Sequence, residues 1–233
     1  MKIKQTIQSI SVLSTLLIAS QVNSAELEVK LLNLTHAIAF TPVLVAAHDQ
    51  QTSLFHLGET ATTALQKMAE GGDTSALKTA VSAASGVNLD LTTMPTLAGV
   101  TSMGMIDTGA NMYLSLTAMM LPTNDGFVGL DSWKIPSEAG TYTIMLNAYD
   151  AGTEINDEII NGGGAPGSAG IPADPSGNAG TGATGASSYE ANDNVHIHPG
   201  NIGDTDATGG ISDVNSTIHR WLNPVAKLVV TVK

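Results

Sequence analysis

The chain has 233 residues, nine Lys or Arg against 21 Asp or Glu, a formal charge of -12 and no cysteine. The missing cysteine excludes thiolate metal sites, thiol catalysis and disulfide staples. The acidic balance argues against nucleic acid, whose affinity for proteins comes largely from Lys and Arg on phosphates.

Lys2 and Lys4 precede the apolar stretch Ile10 to Ala19, and small residues follow at Ser24 and Ala25. That order predicts a signal peptide over residues 1–25, since the apolar part is shorter than the roughly 20 residues a membrane span needs. Without it, seven basic residues face 21 acidic ones, a formal charge of -14. No later run is long and apolar enough to serve as a transmembrane anchor, so the expected location is secreted or periplasmic. Residues 26–233 are enough for one full-sized core.

Glu26 to Leu34 alternates charged with apolar residues and predicts the first strand. Phe40 to Ala47 contains Pro42 and then an apolar run, which predicts a loop leading into a short buried segment. Thr60 to Glu70 carries Ala61, Leu65, Met68 and Ala69 at helical spacing, with Gly71 and Gly72 as stop signals. Asp73 to Ala84 repeats the pattern, with Asp73 or Ser75 as a cap. Beyond Gly99 the pattern becomes β: Asn111 to Leu121 is a long apolar run, Thr141 to Tyr149 alternates, Val195 to His198 is short, and Ala226 to Val232 alternates again. These elements predict a mainly β fold, an antiparallel sandwich with two short helices near the N-terminal part. Residues 161–188 are dominated by Gly, Ala, Ser and Pro, which predicts a flexible surface insertion with no fold of its own.

Four phrases carry a family likeness. They are Thr41-Pro42-Val43-Leu44-Val45-Ala46-Ala47-His48-Asp49 with the following Leu54-Phe55 and Ala64 to Gly72; Met120 to Ser132; Tyr149-Asp150-Ala151-Gly152-Thr153-Glu154; and Trp221 to Leu228. Together they resemble the N-terminal domain of the spondins. The resemblance implies a sandwich related to C2 domains, a bound calcium ion (Ca2+) and an extracellular role in adhesion or matrix recognition. The chain departs from the animal members in lacking their disulfides and further domains, and in its Gly-rich insertion, so their partners do not carry over.

Calcium takes six to eight oxygen ligands, so its site needs carboxylates and carbonyls brought together by loops. Asp125 and Asp131 flank the segment Gly126 to Leu130, Asp150 ends a strand, and Glu154 follows a Gly turn. Antiparallel pairing would bring them to one edge of the sandwich, and neither acidic loop contains a Lys or Arg to neutralise them. The alternative is that Asp125 and Asp150 are turn residues bonding their own backbones. His196 and His198, two apart, share a face if they lie on a strand and could form a second metal site, with Asp204 or Asp206 near His198. Otherwise they are hydrogen-bonded edge histidines.

No Gly-x-Ser-x-Gly elbow, His-Glu-x-x-His helix or phosphate loop is present. Two tryptophans and four tyrosines are few for a sugar-stacking cleft, and Trp133 and Trp221 read as packing residues. Met103, Met105, Met112, Met119 and Met120 read as adaptable core. The expectation is a non-enzymatic calcium-binding recognition module for an extracellular or cell-surface ligand, protein or glycan. A hydrolase with a carboxylate or metal–histidine site, and a surface or matrix structural protein, are the alternatives.

Overall fold

The computed structural model describes residues 24–233. Most of the expected signal segment therefore lies outside the described residues.

Strand β1 (Glu26–Asn33) pairs antiparallel with both β10 (Ala226–Val232) and β5 (Thr101–Asp107). The alternation of β1 and β10 turns Leu27, Val29, Leu31, Leu228 and Val230 inward and leaves Glu28, Lys30 and Lys227 outside. On the other side of the fold, β3 (Leu44–His48) lies between β4 (Val87–Asp90) and β6 (Tyr113–Leu121). Next to β6 comes β7 (Gly126–Lys134). Short β2 (Ala39–Phe40) pairs with β6, and β9 (His196–Ile197) with β8 (Gly140–Asp150). The order is β4-β3-β6-β7-β8-β10-β1-β5, which brings β4 and β5 close and nearly closes the sheet on itself.

Strand β8 joins the two sides. Its residues up to Leu146 pair with β10, and Asn147 to Asp150 pair with β7. Among the described residues the fold is mainly antiparallel β with two helices, as the sequence predicts.

The helices explain why β3 and β6 do not alternate. Helix α1 (Thr63–Gly71) is capped by the Thr62 side chain, which accepts from Leu65 N at 3.1 Å, and ends on Gly72 at φ +71°. With α2 (Ser75–Ala83) it lays Leu65, Met68, Leu77 and Val81 over Leu44, Ala46, Met119 and Phe127. Val45, Ala47, Leu116 and Met120 face the opposite, larger core. Strands covered on both sides read as unbroken apolar runs.

Three expectations need correction. The segment after Gly126 is not a loop: it is strand β7, with Asp131 in its interior. Of the five methionines expected in the core, Met119 and Met120 are there, while Met103, Met105 and Met112 are exposed on or beside strands. Residues 161–188 contain no helix or strand, yet they are not a free insertion. Ile171 is fully buried with Ile160 and Val214, and backbone N–H groups of Gly167 and Gly170 donate to Glu70 and Glu154. The carboxylates supply the anchoring that the composition lacks.

Candidate metal centre at the β7–β8 rim

Asp125 stands immediately before β7 and Asp150 is the last residue of β8, and the register sets Gly126 opposite Asp150. Asp150 is in turn opposite His196 of β9. The turn Ala151 to Thr153 then brings Glu154 back to the same rim, with Gly152 at φ +68° and no room for a side chain against Asp193 and Asn194. Gly126 is required for the same reason: a Cβ there would lie 2.9 Å from the His198 ring. Asp125, Asp150, Glu154, His196 and His198 are thus brought together. Asp131 is not. It lies five residues along β7, about 17 Å on at strand rise, and faces His56 Nδ1 at 3.2 Å. The spacing in sequence misled because a strand, not a turn, separates the two aspartates.

Asp125 and Asp150 are both completely buried. One oxygen of Asp125, Oδ2, accepts from Thr153 N at 2.7 Å, Thr153 Oγ1 at 3.1 Å and Glu154 N at 3.1 Å. The other, Oδ1, is buried with no partner. Asp150 Oδ1 accepts from Gly152 N at 2.8 Å, and Oδ2 accepts from Asn156 Nδ2 at 2.7 Å. Asp150 therefore does bind the backbone of its own turn, with one oxygen, whereas Asp125 binds the backbone of the turn that follows β8, also with one oxygen. Glu154 Oε2 accepts from Gly170 N at 3.2 Å, and its Oε1 is also buried without a partner.

Among the described residues no Lys or Arg forms an ion pair with Asp125, Asp150 or Glu154. Burial, then the neighbouring Asp150, raises the Asp125 carboxyl well above the usual range. Burial likewise raises Glu154 to about 7, with Glu70 and Asp157 adding to the effect against hydrogen bonds from Gly170 and Asn124. Two partnerless carboxylate oxygens at one rim want a proton or a cation.

The two histidines are not equivalent. His198 Nδ1 accepts from Gly200 N at 2.9 Å, which assigns the ring proton to Nε2. That Nε2–H faces Asp150 Oδ2 at 3.9 Å and has no free lone pair for a metal. Burial also lowers His198 to about 4, opposed by Asp150. His196 Nδ1 is bonded to the Asn194 carbonyl at 2.8 Å, leaving Nε2 as an open lone pair 3.9 Å from both Asp150 Oδ2 and Glu190 Oε1. Asp204 and Asp206 are not neighbours of His198; they line a different cavity with His219. Among the described residues, no three Asp, Glu or His side chains stand as a ready-made ligand set for a metal ion. The donors that are free at the Asp125 rim are carboxylate oxygens, the type a hard cation takes.

Asn124, Asn156, Asp157 and Glu190 also belong to the rim and were not singled out from sequence. Asn124 donates to Asp157 Oδ1 at 2.8 Å and accepts from Glu158 N at 3.1 Å. Asn156 reaches Glu190 Oε2 at 3.3 Å. The polar run Glu154 to Glu158, directly after the Gly turn, was the available signal.

The chain matches the Spondin_N family over residues 32–157. It belongs to the spondin N-terminal domain family. That match covers β2 to β8 and the whole Asp125–Asp150–Glu154 rim, and ends before His196, His198 and residues 161–188. No curated protein matches the chain. No helix among the described residues is long and apolar enough to cross a membrane.

Proposed function

We propose that this spondin-type domain is an exported recognition module, without catalytic activity of its own, that holds calcium at the β7–β8 rim. Its ligand is an extracellular or cell-surface protein or glycan. Export rests on the leader pattern of residues 1–25 and on the extracellular character of the family. The calcium reading rests chiefly on one observation: Asp125 and Asp150 are buried side by side, with Asp125 Oδ1 and Glu154 Oε1 lacking any partner. Asp125, Asp150 and Glu154 would supply carboxylate oxygens, and main-chain carbonyls, Asn side chains and water the remainder of the six to eight. The ion would neutralise the rim and fix the β7–β8 end against the turn that follows it.

The test is thermal unfolding of the mature chain after chelation, with calcium titrated back. An ion bound only by the folded state raises the melting temperature by mass action. Asp125→Asn should abolish the calcium response, and Asp131→Asn should leave it intact. A wild-type chain whose melting temperature ignores calcium would sink the metal assignment.

A further inference from the structure

The two sides of the fold are covered unequally. The helices lie over β3, β6 and the start of β7. The outer face of β8, β10, β1 and β5 has no such cover. Met103, Met145 and Met105 stand on it with 59 %, 55 % and 41 % of their surface exposed, and Leu32 and Val229 lie half-buried between them. Apolar side chains grouped on one face and flanked by charges mark a contact surface, and methionine adapts its shape to a partner.

The charge of this face differs from that of the remaining surface. It carries Lys30, Lys227 and Lys233 against Glu26, Glu28 and Asp107, a formal balance of zero. The other four Lys or Arg and 18 Asp or Glu of residues 26–233 hold the whole formal charge of -14. Two copies that meet elsewhere bring net acidic surfaces together, whereas this face meets its own copy without net repulsion.

The charges are also complementary end to end. Lys30 pairs with Glu28, and Lys233 pairs with Glu26 at 2.7 Å. Lys227 forms no ion pair among the described residues. Asp107 bonds only the neutral Ser24 Oγ and Gly109 N. The two leftover charges are opposite in sign and sit at opposite ends of the face. Lys227 is level with Leu32 and Asp107 with Glu26, which is roughly 20 Å apart along β1. A second copy turned end for end, about an axis in the plane of contact, sets the Lys227 of each over the Asp107 end of the other. The exposed methionines then fall between the two sheets.

We propose that the outer face of β8, β10, β1 and β5 is a self-association surface through which two copies of this chain form a two-fold dimer. Four strands and seven residues give a face of roughly 19 by 23 Å. That is the low end for a specific contact, so the dimer is weak, with a Kd on the order of 100 µM. It goes beyond the calcium reading and uses no residue of that rim.

Sedimentation velocity of the mature chain tests it, with the melting temperature as the control for folding. Between about 5 µM and about 1 mM the mass should move from monomer to dimer. The double variant Met103→Lys with Met145→Lys should melt as wild type does and weaken the dimer by at least about tenfold. Lys227→Glu and Asp107→Lys should each weaken it about tenfold, because two symmetric pairs turn from attraction to repulsion. Combining the two should restore wild-type association. Asp125→Asn, which removes the calcium response, should dimerise as wild type does, so the surface and the rim fail or hold separately. A chain that stays monomeric throughout overturns the proposal; if that chain sediments with phosphatidylglycerol vesicles, the face docks on lipid instead. A dimer that the methionine variant leaves intact, or a charge swap that does not restore it, overturns the proposal as well.

Discussion

Strand β1 and the segment 201–219 both carry fully buried side chains, and the groups buried differ. In β1 the inward residues are Leu27, Val29 and Leu31, packed against Leu228 and Val230. Between 201 and 219 the buried residues include Asn201, Ser212, Asp213 and His219, with Val214 as an apolar exception. There the backbone folds around carboxylates. Glu158 gathers Ile202 N, Gly203 N and Ser212 Oγ, and Asp213 gathers Thr181 N, Thr181 Oγ1, Ala183 N and Ile160 N. Glycines suit this scheme because the chain must pass close to the acid: a side chain at Gly210 would overlap the Asp204 carboxylate. A sheet satisfies its N–H groups strand to strand and gains from apolar area. The irregular region satisfies many of its N–H groups on charged side chains, which makes stronger bonds but leaves it sensitive to charge and protonation.

The comparison can be broken most sharply at Phe127, a fully buried ring under the helices that stacks edge-on with Phe55 at 5.0 Å. Phe127→Ala should cost about 4 kcal/mol in denaturant unfolding. A loss below about 1 kcal/mol would mean that the apolar core is not what holds the strands. The pH dependence of Glu154 comes next. Its carboxyl rises from 4.5 to about 7 on folding, so the folded state holds a proton that the unfolded state releases. Its contribution is present in full below pH 4.5 and is lost as pH rises through about 7, a fall of up to roughly 3 kcal/mol in the metal-free chain. Glu154→Gln should flatten that part of the stability profile. If the slope between pH 5 and 7 is unchanged in the variant, the rim does not store the proton where the geometry puts it. The smallest global effect is expected from Asp213→Ala. It should speed amide exchange at Thr181, Ala183 and Ile160 by releasing about 2 kcal/mol of local order, while β1 and β10 stay protected. Equal loss of protection in the sheet would erase the distinction between the two regions.

Much of the sheet was legible because one face of each outer strand meets water. Glu26 to Leu34, Thr141 to Tyr149 and Ala226 to Val232 alternate, and all three fall within or nearly on strands. Strand β7 was missed because Asn124, Asp125, Gly126 and Gly129 look like turn chemistry. Gly129 is in the strand because the Phe55 ring lies where a Cβ would go. The same misreading put Asp131 at the rim. The convergence of Asp125, Asp150 and Glu154 was legible, since a strand start and a strand end in antiparallel neighbours must meet. Glu70, Asn124 and Asn156 were not, because their roles depend on loops returning from far along the chain.

Local pattern alone determined the β class, the two early helices with their Gly72 stop, and the acid-bearing turns before β7 and after β8. These follow from periodicity and turn chemistry within a few residues. Only the tertiary structure decided which acids share a rim, which nitrogen of His198 carries the proton, and that residues 161–188 are tied down. Those outcomes depend on which backbone N–H groups come within hydrogen-bond reach across long separations, as Gly167 does for Glu70 and Thr181 for Asp213.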